Sequence, residues 1–460
     1  MKKILYIIFF TIQCLIFAVY SLALESYTIT NLGHLGANRS NAFGINNSGV
    51  IVGQSYTSSP NMPPRHAFIW QNGNMADLGT LEGLLSSTAY DVNDHGVVVG
   101  VAVGGDGSSE NTPVRWENNQ IMELNIPSGL AGEAMAVNNN RIIVGYIFDP
   151  NSMPKVNQAV IWENENMTEL PTSTGSTFSR ALGLNESGMI VGTEIVKEDI
   201  TEPGQGEYRA VMWKNGNLID LGIPNSVAND INDLGVVVGQ QIEYYGDETS
   251  SNHAFLYKDG KLVDLRISNE KGSQAMAINN LNQVVGISTD ENYDLHAVLW
   301  QDDTYYYLDD LIPDDSQWDY LFWAHDINDN GQIVGEGIPL GETNELAFIM
   351  DHIFAPINID IMPQKCPNEL DLKGQQPLKV VILGSEDFDV GKIDISSVKL
   401  EGIKSFHSRK VDTNSPATDA SEECSCSDKI PDGIIDLILA FNKNLIIKAL
   451  GDVQEGDGAI

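Results

Sequence analysis

From Ser26 to His352, apolar residues come in short runs split by Asn, Gly and Asp. In Ala228–Gln240, ANDINDLGVVVGQ, a stretch of alternating small and large residues meets Asn-Asp-Leu-Gly, and an apolar run follows. The pattern predicts strand, tight turn and strand, because Asn and Gly tolerate the positive φ of a tight turn. His253–Tyr257 (HAFLY) predicts a third strand, and the stretch ending in Asp264-Leu265 a fourth. Asn-Gly turns such as Asn72-Gly73 and Asn215-Gly216 join the last two strands as hairpins elsewhere in the region. No helical period of apolar residues appears.

The four-strand pattern recurs. Its opening Asn stands at Asn46, Asn93, Asn138, Asn185, Asn232, Asn279 and Asn328, spaced by 47, 45, 47, 47, 47 and 49 residues. An Ala lies four residues before each Asn and a Gly seven after it, from Ala42 and Gly53 to Ala324 and Gly335. In the turn, Asn282 replaces the usual Gly in one copy and Arg141 in another, where Asn140 is expected to take the left-handed position. A second block follows each first one, HAFIW at His66 and QAVIW at Gln158 among them, and then an acidic-apolar pair such as Asp77-Leu78 or Asp310-Leu311.

Four strands at a period near 45 residues are the signature of a β-propeller blade. The seventh copy stops after its third strand, at Leu346–His352, but Asn31-Leu32-Gly33 near the N-terminus matches the missing fourth. The expected fold is therefore all-β: a seven-bladed propeller over residues 24–354, closed by its N-terminal strand, with a small β-rich C-terminal domain over 355–460. Closure removes the free sheet edges. Alternation puts the Ala, the residue two before the Asn, and the Asn on one face of the first strand. Small faces are then expected to pack on the large faces of neighbouring blades, with Trp70, Trp116, Trp162, Trp213 and Trp300 in the core.

With His66-Ala67-Phe68 and His253-Ala254-Phe255, these blocks resemble the HAF repeats of secreted bacterial proteins, over about residues 25–352. The resemblance implies an extracellular β-propeller and no particular activity.

The balance of 26 basic against 63 acidic residues, a formal −37, argues against a nucleic-acid partner. Lys2-Lys3, the apolar run Ile4–Tyr20 and the small residues Ser21 and Ala23 read as a secretory signal over 1–23, with an uncleaved anchor as the alternative. The mature chain is expected outside the cytoplasm, extracellular or periplasmic, as a monomer without a membrane span. Cys366 could pair with Cys424 or Cys426, which lie too close together for an easy mutual bond.

Candidate chemistry sits where the copies differ. Asp91, Asp230 and Asp326 fall on first strands, where they could gather near the axis around a cation or serve as structural hydrogen-bond acceptors. Asp314, Asp315, Trp318, Tyr320 and Trp323, before the last copy, combine carboxylates with aromatic faces, a combination that suits a sugar or a cationic peptide. The C-terminal stretch resembles a module found at the ends of many secreted bacterial proteins. The resemblance implies a calcium loop at Asp428, Asp432 and Asp436, with Ile430 where an oxygen ligand is expected. Calcium is the one cofactor suggested, and an acidic mobile segment is expected at about 408–428. The motifs G-x-S-x-G and H-E-x-x-H are missing. The leading expectation is a non-catalytic binding scaffold for an extracellular glycan or protein. The alternative is a carboxylate-based polysaccharide lyase or glycoside hydrolase.

Overall fold

The computed structural model describes residues 5–6, 27–58, 64–105, 111–118, 120–152, 156–196, 207–244, 250–301, 304–313, 315–352, 358–361, 369–370, 377–383, 390, 395, 398–400, 403–412 and 434–449. The signal segment apart from Leu5 and Tyr6, the three mature cysteines, Asp314, Asp428 and Asp432 lie outside them, as does most of the expected mobile segment.

Residues 26–352 form one compact unit. It holds seven four-stranded antiparallel sheets. Six are built from consecutive strands, and the blades are numbered here in chain order: Ser40–Gly79, Ser86–Glu123, Ala131–Glu169, Ser176–Pro224, Ser226–Asp264 and Gly272–Tyr307. Blade 7 takes its first three strands from Trp318–His352 and its outer strand from Tyr27–Asn31, which pairs antiparallel with Leu346–His352. The N-terminal strand thus closes the ring. In blade 6 the outer strand is Thr304–Tyr307, and Asp310-Leu311 sits in the following 3-10 turn Leu308–Leu311 rather than in the strand.

The apolar core lies between blades. Val52 and Ala67 of blade 1 pack with Ala89, Val98 and Trp116 of blade 2, and the other interfaces repeat this arrangement. The tryptophans reach across these interfaces. The indole N–H of Trp116, Trp162, Trp213 and Trp300 donates to the backbone oxygens of Leu78, Asn125, Pro171 and Leu265, in or just past the outer strand of the preceding blade, at 2.7–3.1 Å.

Simple alternation fails at one position common to all seven first strands, and at further positions in blades 4 and 7. The register slips between Ala42 and Gly44, Ala89 and Asp91, Ala134 and Ala136, and likewise in the other four blades. This is a β-bulge, one extra residue that bends the strand. The extra residues are Phe43, Tyr90, Met135, Leu182, Asn229, Met276 and His325, and all seven line the central cavity. Opposite each bulge the repeated Ala is fully buried against the repeated Gly. A Cβ on Gly239 would stand 2.0 Å from the carbonyl oxygen of Val227, so only glycine fits. In the turn of blade 3, Arg141 itself takes positive φ, 63°, in place of Asn140, and its guanidinium pairs with Glu117 at 2.6 Å.

The described C-terminal residues include a four-stranded antiparallel sheet in the order Asn358–Ile361, Leu378–Leu383, Asp436–Phe441, His407–Val411. A short helix, Lys443–Ala449, follows. Asp436 opens its strand and is buried.

Candidate functional site

Each repeated Asn builds its own turn and also joins the next blade. In Asn46 the side-chain oxygen accepts the backbone N–H groups of Ser48 and Val50. Its amide donates to the backbone oxygen of Asn93 at 2.9 Å. The same step runs from Asn93 to Asn138, Asn185, Asn232, Asn279 and Asn328, and Asn328 returns to Asn46. Seven buried side chains thus form a closed hydrogen-bonded ring.

A second ring lies one residue further on, at the turns. The backbone N–H of Asn47 donates to Asp94, Asp94 to Asn139, Asn139 to Glu186, Glu186 to Asp233, Asp233 to Asn280, Asn280 to Asp329, and Asp329 back to Asn47, at 2.8–3.0 Å. Further amide bonds brace the carboxylates, such as Asn139 to Asp94 at 3.0 Å and Asn280 to Asp233 at 2.9 Å. Four carboxylates and three amides therefore stand in fixed positions around the channel. Burial, with Asp233 and Asp94 close by, raises the Glu186 carboxyl above its ordinary value.

Asp91, Asp230 and Asp326 also line the channel. The structure gives them a different role from clasping a cation between them. One oxygen of each accepts the next backbone N–H of its own strand, at Val92, Ile231 or Ile327. The other accepts from the neighbouring blade, at Val137, Ile278 or Ile45, at 2.7–2.9 Å. They are clamps between blades. Among the described residues, no three His, Cys, Asp or Glu side chains are grouped closely enough to hold a metal ion. Burial pushes Asp91 up to about 6, raises Asp230, and raises Asp326 well above its ordinary value, where the charges of Asp91 and Asp230 add to burial.

The rings enclose a cavity of about 460 Å³. Seven carboxylates line it, namely Asp91, Asp94, Glu186, Asp230, Asp233, Asp326 and Asp329, and no Lys or Arg is among its described lining residues. Phe43, Met135, Leu182 and Met276 supply an apolar wall. At His325 the wall is backed by Glu336, which is 8 % exposed. One Glu336 oxygen lies 3.4 Å from His325 Nε2, and the other has no hydrogen-bond partner among the described residues. Trp323 stacks on the His325 ring and Phe43 meets it edge-on.

The expected aromatic-acidic group is dispersed. Trp318 is buried with its ring against Phe348, which makes it core rather than a ligand face. Tyr320 stacks on Phe322 and meets His296 edge-on. Asp315 is exposed in a turn, and Trp323 alone reaches the channel region, through His325. The second ring was missed, although the residue after every repeated Asn is Asn, Asp or Glu and the column is visible in the sequence.

Fold and site together define a seven-bladed β-propeller, closed by its N-terminal strand, with a carboxylate-lined axial channel. The chain belongs to the DUF3466 family, proteins of unknown function, whose model matches residues 19–171 and 166–294. No curated protein matches it in sequence. Among solved structures it is similar to the β-propeller domain of the Trilobed protease from Pyrococcus furiosus, at 11 % identity and a TM-score of 0.46, over 69 % of this chain and 94 % of that one. It is also similar to an acylaminoacyl peptidase from Pyrococcus horikoshii, at 10 % identity and a TM-score of 0.45, over 75 % of this chain and 58 % of the peptidase. A lectin from Aleuria aurantia is similar at 11 % identity and a TM-score of 0.31, over 61 % of this chain and 94 % of the lectin. At these values the likenesses say nothing of what this chain binds.

Proposed function

We propose that this protein is an exported, non-catalytic binding scaffold that holds an extracellular glycan or protein at the mouth of the propeller channel. The observation that carries this reading is the second ring. Asn47, Asp94, Asn139, Glu186, Asp233, Asn280 and Asp329 each accept a backbone N–H from the neighbouring turn, so their polar groups are held in place before any ligand arrives. Pre-organised polar groups over a cavity of this size are the usual form of a ligand site. The basic head and apolar run before Ala23 support export, and the HAF-like blocks support an extracellular setting.

The test is migration of the mature protein through native gels cast with a panel of polysaccharides, with and without calcium, followed by staining for lost polymer. Retardation without loss is expected for a glycan ligand. Cleared polymer would replace this reading with the carboxylate-based lyase or hydrolase. Unaltered migration across the panel would leave protein partners, to be sought by cross-linking to the channel mouth.

A further inference from the structure

We propose that the axial channel binds a flexible chain carrying several alkylammonium groups. The inference rests on reading the channel mouth as the binding face, and it names the chemistry of the ligand. The first ground is charge: seven carboxylates line one cavity without a lysine or arginine among its described lining residues. Low-dielectric walls concentrate such a field and favour a cation inside.

The second ground is independent of that cluster. Glu336 lies in the second strand of blade 7, outside the cavity lining, and directs a buried carboxylate at His325 in the wall. Its second oxygen has no partner among the described residues. A buried carboxylate without a full set of donors is costly, and an ammonium held in the cavity against His325 would offset its charge across the ring without touching it. Phe43, Trp323 and the His325 ring gather at the same place, and aromatic faces favour alkylammonium groups.

The third ground is shape. Since no three acidic, His or Cys side chains are grouped around one point among the described residues, the charge suits an extended ligand better than a single bare ion. The methylene links of such a ligand would lie against Met135, Leu182 and Met276, which are soft, adaptable apolar surfaces. Two sources share this chemistry: a free linear polyamine, and a lysine-rich segment of a protein.

The experiment is titration calorimetry of the full mature protein with spermine in one arm and a short oligolysine peptide in the other. Saturable binding that weakens with salt is expected in at least one arm, and the stronger arm names the source. The variant Asp94→Asn/Asp233→Asn/Asp329→Asn keeps an acceptor oxygen at each ring position, as Asn47, Asn139 and Asn280 already do. It should bind about tenfold or more weakly. Glu336→Gln should weaken binding about threefold or more. A control, Glu82→Gln/Glu163→Gln/Asp259→Asn, removes the same charge from exposed positions outside the cavity lining and should bind like the parent. Thermal melts verify that each variant is folded.

Equal loss in the control would show bulk charge attraction and overturn the proposal. So would unchanged binding in Glu336→Gln, or no saturable binding in either arm. If neither cation binds but a polysaccharide retards the protein, and the mouth variant abolishes that retardation, this inference falls and the binding scaffold stands. If the mouth variant alters no binding of any kind, both fall.

Discussion

The side-chain amide of Asn328 donates to the backbone oxygen of Asn46 at 2.9 Å, across 282 residues of chain. Six equivalent bonds precede it around the ring, and this one joins last blade to first. The Asn328 oxygen separately holds the turn, accepting the N–H groups of Asn330 and Gln332. The two roles can be separated. Asn328→Asp keeps the acceptor and removes the donor, placing a carboxylate against a buried carbonyl. We expect a loss of about 1–3 kcal/mol in denaturant unfolding at neutral pH. Asn328→Ala removes both roles and should cost more. Equal stability of Asn328→Asp and the parent would show that the ring bond contributes nothing.

The Ala–Gly contact opposite each bulge should be the least tolerant element of the fold. Gly239→Ala would drive a methyl group to 2.0 Å from the Val227 oxygen, and no rotamer relieves a clash made by Cβ. A loss of at least about 2 kcal/mol is expected. Ala228→Leu, at a fully buried site, should overpack the interface by about 1–3 kcal/mol. Gly216→Ala is the comparison. It sits in open space at φ 73° and should cost only about 1 kcal/mol through backbone strain. Chemical melts of the three variants would establish the order.

The three clamp aspartates link stability to acidity in a defined direction. Folding raises their affinity for protons: Asp91 moves from 3.8 to about 6, and Asp230 and Asp326 also move upward. Between the unfolded and folded values the native state binds more protons than the unfolded one, so stability from these groups falls as pH rises through that window. The melting temperature should therefore rise as pH is lowered from about 7 towards about 5. Relief of the net negative charge acts in the same direction, so the diagnostic quantity is the difference between parent and variant. Asp91→Asn should show a shallower slope between about pH 4 and about pH 7 by scanning calorimetry. Parallel slopes would remove Asp91 from the account.

The repeat was legible because its constraints are local and recur. A Cβ added at any of the seven repeated glycines, from Gly53 to Gly335, would stand 1.9–2.0 Å from a carbonyl oxygen, so seven copies of one steric problem leave seven copies of one answer. The split last blade was legible for the same reason, since Asn31-Leu32-Gly33 repeats the outer-strand ending. The bulge was hidden, because an extra residue in one strand shows only against its partner, and alternation then misplaces Phe43, Tyr90 and His325. The rings were hidden because a bond from Asn46 to Asn93 satisfies no turn rule within either copy. Trp318 looked like a ligand face because Asp314 and Asp315 stand near it in the sequence, but the strand pairs it with Pro339 and its ring packs against Phe348.

Among the strands of the propeller, Tyr27–Asn31 is synthesised first and used last. Its partner is some 323 residues away, as between Thr28 and Asp351. Blades 1 to 6 contain all their own strands, so each can pair as soon as it emerges, while this strand waits for Leu346–His352. Closing so long a loop is a late event. A chain broken off before that segment would keep an unpaired first strand, an edge open to aggregation and proteolysis. Ring closure therefore acts as a check on the completeness of the chain: the protein is sealed only when its first and last blade segments are both present.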